Sequence, residues 1–315
     1  MINTGSITVA ATVPVGSAGY VAITPNGSFG YVTNGNNVTV INTASNAAAA
    51  IVGVGTQAKM VAITSNGSFA YVANQGSNDV TVINTSTNAV VATVAVGNCP
   101  DELAIAPNGS VVFVSNGCSA SVTVISTTSN TVAATIAAVA VSVVFSPNGS
   151  FAYGTFPAFN YVSVMNTASN TVATTVAVGT SPNSVAVTPN GSFAYVTNYS
   201  SNNVTVINTV TNTSVATIVA GAWPYFVAFT PNGSLAYVPN WYSNTVTVIS
   251  TASNTVVATV PAGSDPYKVA ITPNGSFAYV TNPYSNNVTV INTVSNTAAA
   301  TVAVGSSPYS IAIQP

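Results

Sequence analysis

The stretch Ser181 to Gly221, SPNSVAVTPNGSFAYVTNYSSNNVTVINTVTNTSVATIVAG, decides the fold. It contains four short runs rich in Val, Ile, Thr and Tyr: Ser184–Val187, Phe193–Thr197, Val204–Asn208 and Ser214–Val219. Clusters of Asn, Ser, Gly and Pro separate these runs, which is typical of β-strands joined by tight turns. No helical period is sustained, and Thr, Val and Asn are poor helix formers. The stretch therefore predicts four antiparallel strands.

The same text recurs along the whole chain and is marked by the turn Asn-Gly-Ser. The turn asparagines follow one another at intervals of 40 or 42 residues: Asn26, Asn66, Asn108, Asn148, Asn190, Asn232 and Asn274. A four-stranded unit of this length has the size of a propeller blade. Seven copies predict an all-β, seven-bladed β-propeller of four-stranded antiparallel blades. Asn-Gly also fits a type I′ hairpin turn, in which both central residues have positive φ.

Strand-like segments remain at both ends of the chain after seven blades are counted. We parse residues 1–315 as a single propeller domain, with 1–16 as an orphan outer strand and 306–315 as an orphan inner strand. The strand cores of these segments are Ile7–Val13 and Ser310–Ile313, and Met1–Thr4 resembles the tail of a third strand. One terminal strand is expected to close the ring. Its displaced copy either packs on its own rim or pairs with a neighbouring subunit.

The repeats resemble a known family. The run AYVTN stands at Ala194–Asn198 and Ala278–Asn282, and variants begin at Gly30, Ala70 and Ala236. Each is followed by a TVxVINT-like run and an ATVxVG-like run. The pattern resembles the YVTN family of β-propeller repeats, which is typical of surface-layer and secreted proteins. The resemblance covers essentially the whole chain, and it implies a propeller with a scaffold or binding role at the cell surface.

The composition is poor in the residues that most enzymes and nucleic-acid-binding proteins use. Charged residues make up 2% of the chain, with two lysines, four acids, no arginine and no histidine. Histidine-based triads, bidentate phosphate clamps and a basic nucleic-acid footprint are therefore excluded. The only adjacent carboxylates, Asp101 and Glu102, point to opposite faces if they lie on a strand. We expect no enzymatic activity, no cofactor, no metal and no nucleic-acid partner.

The low charge also predicts association. A net charge of −2 on 31.4 kDa gives little repulsion between copies. The mean hydropathy of +0.50 does not indicate a membrane span, because the apolar residues are spread over short strands. The longest apolar run, Thr131–Phe145, is too short for a spanning helix. The N-terminus has no basic, apolar leader pattern, so secretion cannot be read from it.

The seven turn asparagines, the same positions as above, also begin the acceptor triplet Asn-x-Ser/Thr for N-glycosylation. The YVTN family has Pro-Asp-Gly followed by Lys at this turn, so the substitution removes two charges from each blade. We expect these seven asparagines to carry glycans, which would restore solubility. The alternative is that Asn-Gly-Ser serves only as a hairpin turn. For six scattered triplets, chance is the preferred interpretation: Asn37, Asn84, Asn198, Asn203, Asn212 and Asn287.

Large aromatic residues cluster in loops on the face opposite these turns. The loops from second to third strand and from fourth to next first strand are predicted to open there. They carry seven rings: Trp223, Tyr225, Trp241, Tyr242, Tyr267, Tyr284 and Tyr199. They also carry all six charged side chains: Lys59, Asp79, Asp101, Glu102, Asp265 and Lys268. We expect either a contact surface for sugars or a protein partner, or packing between neighbouring loops.

Cys99 and Cys118 fall in loops of the third repeat on that same face. They are the only cysteines, and the fold brings them together, so a disulfide and an oxidising compartment are predicted. Two free thiols are the alternative. The leading hypothesis is an extracellular, glycosylated subunit of a surface layer or filament that self-associates. The main rival is an adhesion module that binds a polysaccharide or a surface protein through the aromatic loops.

Overall fold

The computed structural model describes residues 1–315 apart from the side chain of Ala18. The chain forms seven four-stranded antiparallel sheets, numbered here from first to seventh in chain order. The fold class, an all-β seven-bladed β-propeller, is confirmed. In each sheet the strands pair in sequence order, so hairpins supply every connection within a sheet.

The strands keep the order predicted from the repeat. The first strands are Ala18–Ile23, Ala58–Ile63, Pro100–Ile105, Ser142–Phe145, Pro182–Val187, Ala228–Phe229 and Val269–Ile271. The second strands are Phe29–Asn34, Phe69–Asn74, Val111–Asn116, Phe151–Thr155, Phe193–Asn198, Leu235–Asn240 and Phe277–Asn282. The third strands are Asn37–Asn42, Asp79–Asn84, Ser121–Ser126, Tyr161–Asn166, Asn203–Asn208, Thr245–Ser250 and Asn287–Asn292. The fourth strands are Ala47–Gly53, Ala89–Ala95, Thr131–Ile136, Thr171–Ala177, Thr213–Val219, Thr255–Pro261 and Thr297–Ala303.

The chain divides into two compact units. One comprises Val13–Gly154, Ser163–Thr174 and Gln314–Pro315. Its core is built from buried valines, isoleucines and aromatic rings of the first four sheets, with Phe113 of the third sheet and Phe145 of the fourth in contact at 4.7 Å between ring centroids. Interdigitating valines and rings of this kind give the close packing that stabilises stacked sheets.

The other unit comprises Met1–Thr12, Thr155–Val162 and Thr175–Ile313. Its core repeats one pattern, with the second-strand tyrosine buried among valines of neighbouring strands. The hydroxyl of Tyr237 donates to Asn296 Oδ1 at 2.6 Å, and Tyr195 bonds Asn254 in the same way. A buried phenol that would otherwise lose its water contacts is thereby satisfied.

Both chain ends pack on the seventh sheet of this second unit. Ile2–Asn3 and Thr8–Val9 pair as a short antiparallel hairpin. It corresponds to the third and fourth strands of a sheet, with each strand reduced to two residues. Ile2, Ile7, Ile311 and Ile313 cover the core of the seventh sheet. The predicted strands differ here, since Ile7–Val13 is reduced to Thr8–Val9 and the fully described segment 304–315 contains no strand.

The Asn-Gly turn has a different geometry from the one predicted. Gly27 has φ +73°, whereas Asn26 is not among the residues with positive φ, so a type I′ turn is wrong. Gly27 N–H donates to Thr24 O at 2.7 Å, which places Pro25 and Asn26 at the centre of the turn. A four-residue loop with one left-handed glycine results, because proline favours the first central position of an ordinary turn.

Candidate functional site

The loops that lead into the first strands hold one residue in the left-handed conformation. The backbone N–H of this left-handed residue donates to the Oδ1 of an asparagine, at 2.8–3.3 Å. The asparagine lies in the preceding sheet, in the loop that leads into the third strand. The pairs are Gln57 with Asn36, Cys99 with Asn78, Ser181 with Asn160, Trp223 with Asn202, Asp265 with Asn244, and Ser307 with Asn286. A non-glycine residue at positive φ costs free energy, so it persists only where surrounding contacts hold it. The hydrogen bond to asparagine is such a contact, and it fixes the loop and the direction of the left-handed residue's side chain.

One half of an aromatic cluster is built around such a residue. Trp223 stacks on Tyr199 at 4.9 Å between ring centroids and contacts Tyr242 at the same distance. Trp223 is 37% exposed and Tyr242 is 67% exposed. The backbone holds these loops together, since Trp241 N–H donates to Trp223 O at 2.9 Å. The rings therefore form an exposed surface on a rigid support.

The other half lies in the loops just before the first strands of the sixth and seventh sheets, together with Trp241 after the sixth sheet's second strand. Tyr225 contacts Trp241 at 5.1 Å and Tyr267 at 4.4 Å, and Tyr267 contacts Tyr309 at 5.4 Å. Tyr267 Oη donates to Tyr225 Oη at 3.2 Å. Tyr225 also contacts Tyr199 at 6.3 Å, which joins the two halves. The result is one continuous cluster, called here the aromatic cluster: Tyr199, Trp223, Tyr225, Trp241, Tyr242, Tyr267 and Tyr309.

The structure brings together six of the seven rings that the sequence suggested. Tyr284 is the exception, because it is 80% exposed and takes part in none of the ring contacts described. Tyr309, 44% exposed, was missed. A signal for it was present, since Pro-Tyr occurs at the same place in three consecutive repeats, at Tyr225, Tyr267 and Tyr309.

The electrostatic surroundings of the cluster are nearly neutral. Lys268 Nζ lies 5.1 Å from the Phe226 ring centroid, a cation–π contact. Asp265 stands in the neighbouring loop, and its N–H is held by Asn244. Burial raises the pKa of Tyr199 above its ordinary value, so this phenol stays protonated at neutral pH. The cluster offers aromatic faces and neutral hydroxyls.

The other charged residues hold neighbouring strands together. Lys59 Nζ and Asp101 Oδ1 lie 3.6 Å apart. Glu102 Oε2 accepts the N–H of Val143 at 3.1 Å, and Asp79 Oδ1 accepts from Asn74 Nδ2 at 2.6 Å. Each lies at the end of its own sheet opposite the Asn-Gly-Ser turn. Within the described part of the chain, no group of three metal-ligating acids, cysteines or histidines occurs.

The two cysteines are joined in the third sheet's loops. Their Sγ atoms are 2.13 Å apart and their Cα atoms 5.3 Å apart, which is a disulfide. The bond links the left-handed loop residue Cys99 to the loop between the second and third strands.

The seven turn asparagines are all exposed. In the first turn, Asn26 Oδ1 accepts from Thr24 Oγ1 at 2.7 Å and from Ser28 N–H at 3.0 Å. The other turns repeat the contact to the serine N–H, with 3.0 Å at each of Asn66, Asn108, Asn148, Asn190, Asn232 and Asn274. The oxygen is thus engaged in each turn, and these contacts do not use Nδ2, the atom that a glycan would join. The glycosylation of these residues stays a prediction.

Comparisons with known proteins agree on the fold. A family model described as lactonase, 7-bladed β-propeller, matches residues 27–143. None of the curated proteins matches the sequence. The structure contains no helix, among the described residues, that is long and apolar enough to cross a membrane.

Three solved structures show the same architecture at low identity. Kuenenia stuttgartiensis hydrazine synthase is 22% identical, with a TM-score of 0.73 over 90% of this chain and 98% of that one. The dihydro-heme d1 dehydrogenase NirN in complex with DHE is 13% identical, with a TM-score of 0.83 over 98% and 71%. A chain of the mitotic checkpoint complex is 15% identical, with a TM-score of 0.72 over 84% and 83%. At these identities the likeness establishes the fold alone.

The prediction that the chain has no enzymatic activity is wrong by this comparison. The family model that matches residues 27–143 is that of a lactonase, which is a class of enzyme. The error came from treating the absence of histidine and arginine as decisive. That absence excludes certain catalytic constellations, whereas tyrosine, lysine and carboxylates can also transfer protons, and this chain has all of them.

Proposed function

We propose that the protein binds a neutral, ring-shaped carbohydrate on the aromatic cluster. The observation that carries this proposal is the continuous contact of seven rings, of which Trp223, Tyr242 and Tyr309 are substantially exposed. Exposed aromatic groups in contact with one another are costly to leave in water and favour a ligand with an apolar face. The C–H face of a pyranose ring is such a surface.

The cluster is preorganised for this role. Trp223 is fixed by its N–H bond to Asn202 and by stacking on Tyr199, so little side-chain entropy is lost on binding. Lys268 is occupied by the Phe226 ring, which leaves hydroxyls as the main polar groups. Neutral saccharides are therefore favoured over acidic ones.

The lactonase match supports a second ligand class at the same place. A lactone is a cyclic ester whose ring has apolar and polar edges similar to those of a sugar ring. Sugars and lactones can be compared in one titration, because both tryptophans of the chain, Trp223 and Trp241, belong to the cluster. Their fluorescence reports directly on its occupancy.

The test is a fluorescence titration with neutral oligosaccharides and simple lactones. Trp223→Ala should weaken binding about tenfold or more, equivalent to about 1.4 kcal/mol, because it removes the central stacking ring. Tyr284→Ala is the matched control, an exposed loop tyrosine outside the cluster, and should bind as the parent does. Equal affinity of the Trp223→Ala variant, measured by calorimetry, would refute the assignment.

We also propose that copies assemble outside the cell as a glycosylated surface layer or filament, as the YVTN-like repeats imply. The fourth strands support this proposal. They form one edge of every sheet, are largely exposed and contain no charged residue. Uncharged, exposed edges favour pairing between copies. The disulfide supports an oxidising compartment.

Sedimentation velocity tests the assembly. Lysines placed at Val91 and Val257, exposed positions of two fourth strands, should reduce association, because charge on an edge opposes pairing. Deletion of residues 309–315 tests the alternative that the C-terminal segment pairs with a neighbouring copy, in which case the deletion should abolish association. A native mass equal to 31.4 kDa would exclude the glycans.

A further inference from the structure

We infer that Tyr225 and Tyr267 form a site of oxidative cross-linking, where one-electron oxidation joins the two phenols into an intrachain dityrosine. Their ring centroids are 4.4 Å apart and their planes are inclined by only 32°. Their hydroxyl oxygens are 3.2 Å apart. The carbons ortho to these hydroxyls, which form the bond in a dityrosine, therefore lie side by side.

The reaction balances with a one-electron oxidant of the haem peroxidase or photoexcited metal-complex class. Each phenol gives one electron to the oxidant and one proton to water, which leaves two phenoxyl radicals. The radicals couple through their ortho carbons to form one C–C bond. The hydrogens on those two carbons then move to the oxygens and restore both phenols. The product has two hydrogens fewer than the two tyrosines.

The hydrogen bond between the two phenols favours this pair over the other rings. Tyr267 donates to Tyr225, and this bond holds the two hydroxyl groups, with the ortho carbons beside them, next to each other. Trp241 contacts both rings, at 5.1 Å and 5.4 Å, and can pass an electron hole to them. Tyr309 meets Tyr267 edge-on at 83° with 5.4 Å between ring centroids, so this pair is farther apart than Tyr225 and Tyr267.

Competing oxidation sites are few. Both cysteines are in the disulfide, and the sequence has no histidine. The second-strand tyrosines Tyr195 and Tyr237 are fully buried, and each bonds an asparagine instead of a second phenol. Among the tyrosine–tyrosine ring contacts described above, Tyr225 and Tyr267 have the shortest centroid distance. The inference does not depend on carbohydrate binding.

The experiment uses the intact, folded chain with a haem peroxidase and hydrogen peroxide at low protein concentration. The expected product shows the blue fluorescence of a biphenol and migrates as a monomer. Peptide mass spectrometry should find one cross-link, Tyr225 to Tyr267, two hydrogens lighter than the uncoupled peptides. Elastase is the suitable protease, because both tyrosines fall between the two lysines, Lys59 and Lys268, and trypsin cannot separate them.

The variants decide the assignment. Tyr225→Phe and Tyr267→Phe should each abolish the monomeric cross-link, whereas Tyr284→Phe, the exposed control, should leave its yield unchanged. Circular dichroism verifies that each variant is folded before oxidation. A cross-link that persists in either cluster variant, or that joins mainly separate chains through Tyr242 or Tyr284, would overturn the inference. So would a parent chain that yields no dityrosine while free tyrosine is coupled in the same tube.

Discussion

Sequence variation between the seven repeats is small in the interiors of the strands and large in the loops opposite the Asn-Gly-Ser turns. In the interiors the same tyrosine, valines and asparagine recur from sheet to sheet, as in Tyr195 with Asn254 and Tyr237 with Asn296. At the loop ends the backbone also recurs, but its side chains change. Repeated interiors specify a fold, whereas departures on a common backbone are where a function can be added.

One loop position shows this clearly. Cys99 and Cys118 are 19 residues apart and form a disulfide. Ser181 and Ser200, also 19 apart, hold the same place in the fifth sheet and hydrogen-bond at 2.9 Å. In the sixth sheet the place belongs to Trp223 and Tyr242, whose rings are in contact. A covalent link, a polar contact and a contact between two aromatic rings thus occur at one position of the same backbone arrangement.

Alkaline pH should destabilise the interior more than any single substitution. Burial raises the pKa of five second-strand tyrosines to about 12, from an ordinary value of 10.0: Tyr31, Tyr71, Tyr153, Tyr195 and Tyr237. The folded state favours the neutral phenol, so its stability is complete below pH 10 and is lost as the pH rises towards 12. We expect cooperative unfolding in that window, with release of up to five protons.

Circular dichroism and phenolate absorbance, recorded together, check this. Loss of β-structure should coincide with the rise in phenolate absorbance from these five buried tyrosines. Ionisation of all fourteen tyrosines before any change in the dichroism would contradict the coupling.

Loss of the disulfide is the next largest effect. The double substitution Cys99→Ser and Cys118→Ser should lower the free energy of unfolding by about 3 kcal/mol, the value expected for a loop of this length. Serine is the informative replacement, because Ser181 and Ser200 show that this pair fits the same backbone arrangement. Urea unfolding gives the difference, and the parent with reductant is the control. No change in midpoint would mean that the loops are held by their hydrogen bonds alone.

Most of the fold could be predicted from the sequence, and much less of the site. The strand order and the pairing of Phe193–Asn198 with Asn203–Asn208 follow from alternating apolar residues and turn signals. The turn type was missed because Pro25 competes with Asn-Gly for the centre of the turn. Tyr309 was missed because it lies at the chain end, outside a complete repeat. Ring stacking, such as Tyr199 on Trp223, depends on side-chain directions that periodicity does not give.

A smaller loss of stability is expected from a substitution at Gly179, where the backbone lies close to neighbouring side chains. A Cβ added at Gly179 would lie 2.7 Å from Asn198 Cγ and closer still to Ser201 Oγ, which accepts the N–H of Thr180. Gly179→Ala should therefore lower the free energy of unfolding by about 1–3 kcal/mol. Gly305→Ala is the matched control, because a Cβ there has nothing within 4 Å. Equal urea midpoints for the two variants would show that the loop yields without cost.

The smallest expected effect is a gain in the free energy of unfolding from an added disulfide. It tests whether these loops have the same backbone geometry in the third and fifth sheets. Ser181→Cys with Ser200→Cys places two thiols where the third sheet has its disulfide, and the serine oxygens are already 2.9 Å apart. Under oxidising conditions a second disulfide should form and raise the free energy of unfolding by about 1–2 kcal/mol, less than a native bond because engineered geometry is rarely ideal. Free-thiol titration and urea midpoints with and without reductant measure it, and the single Ser181→Cys variant is the control. Two thiols that stay free in air while Cys99 and Cys118 remain joined would show that the third sheet's loops have a geometry of their own.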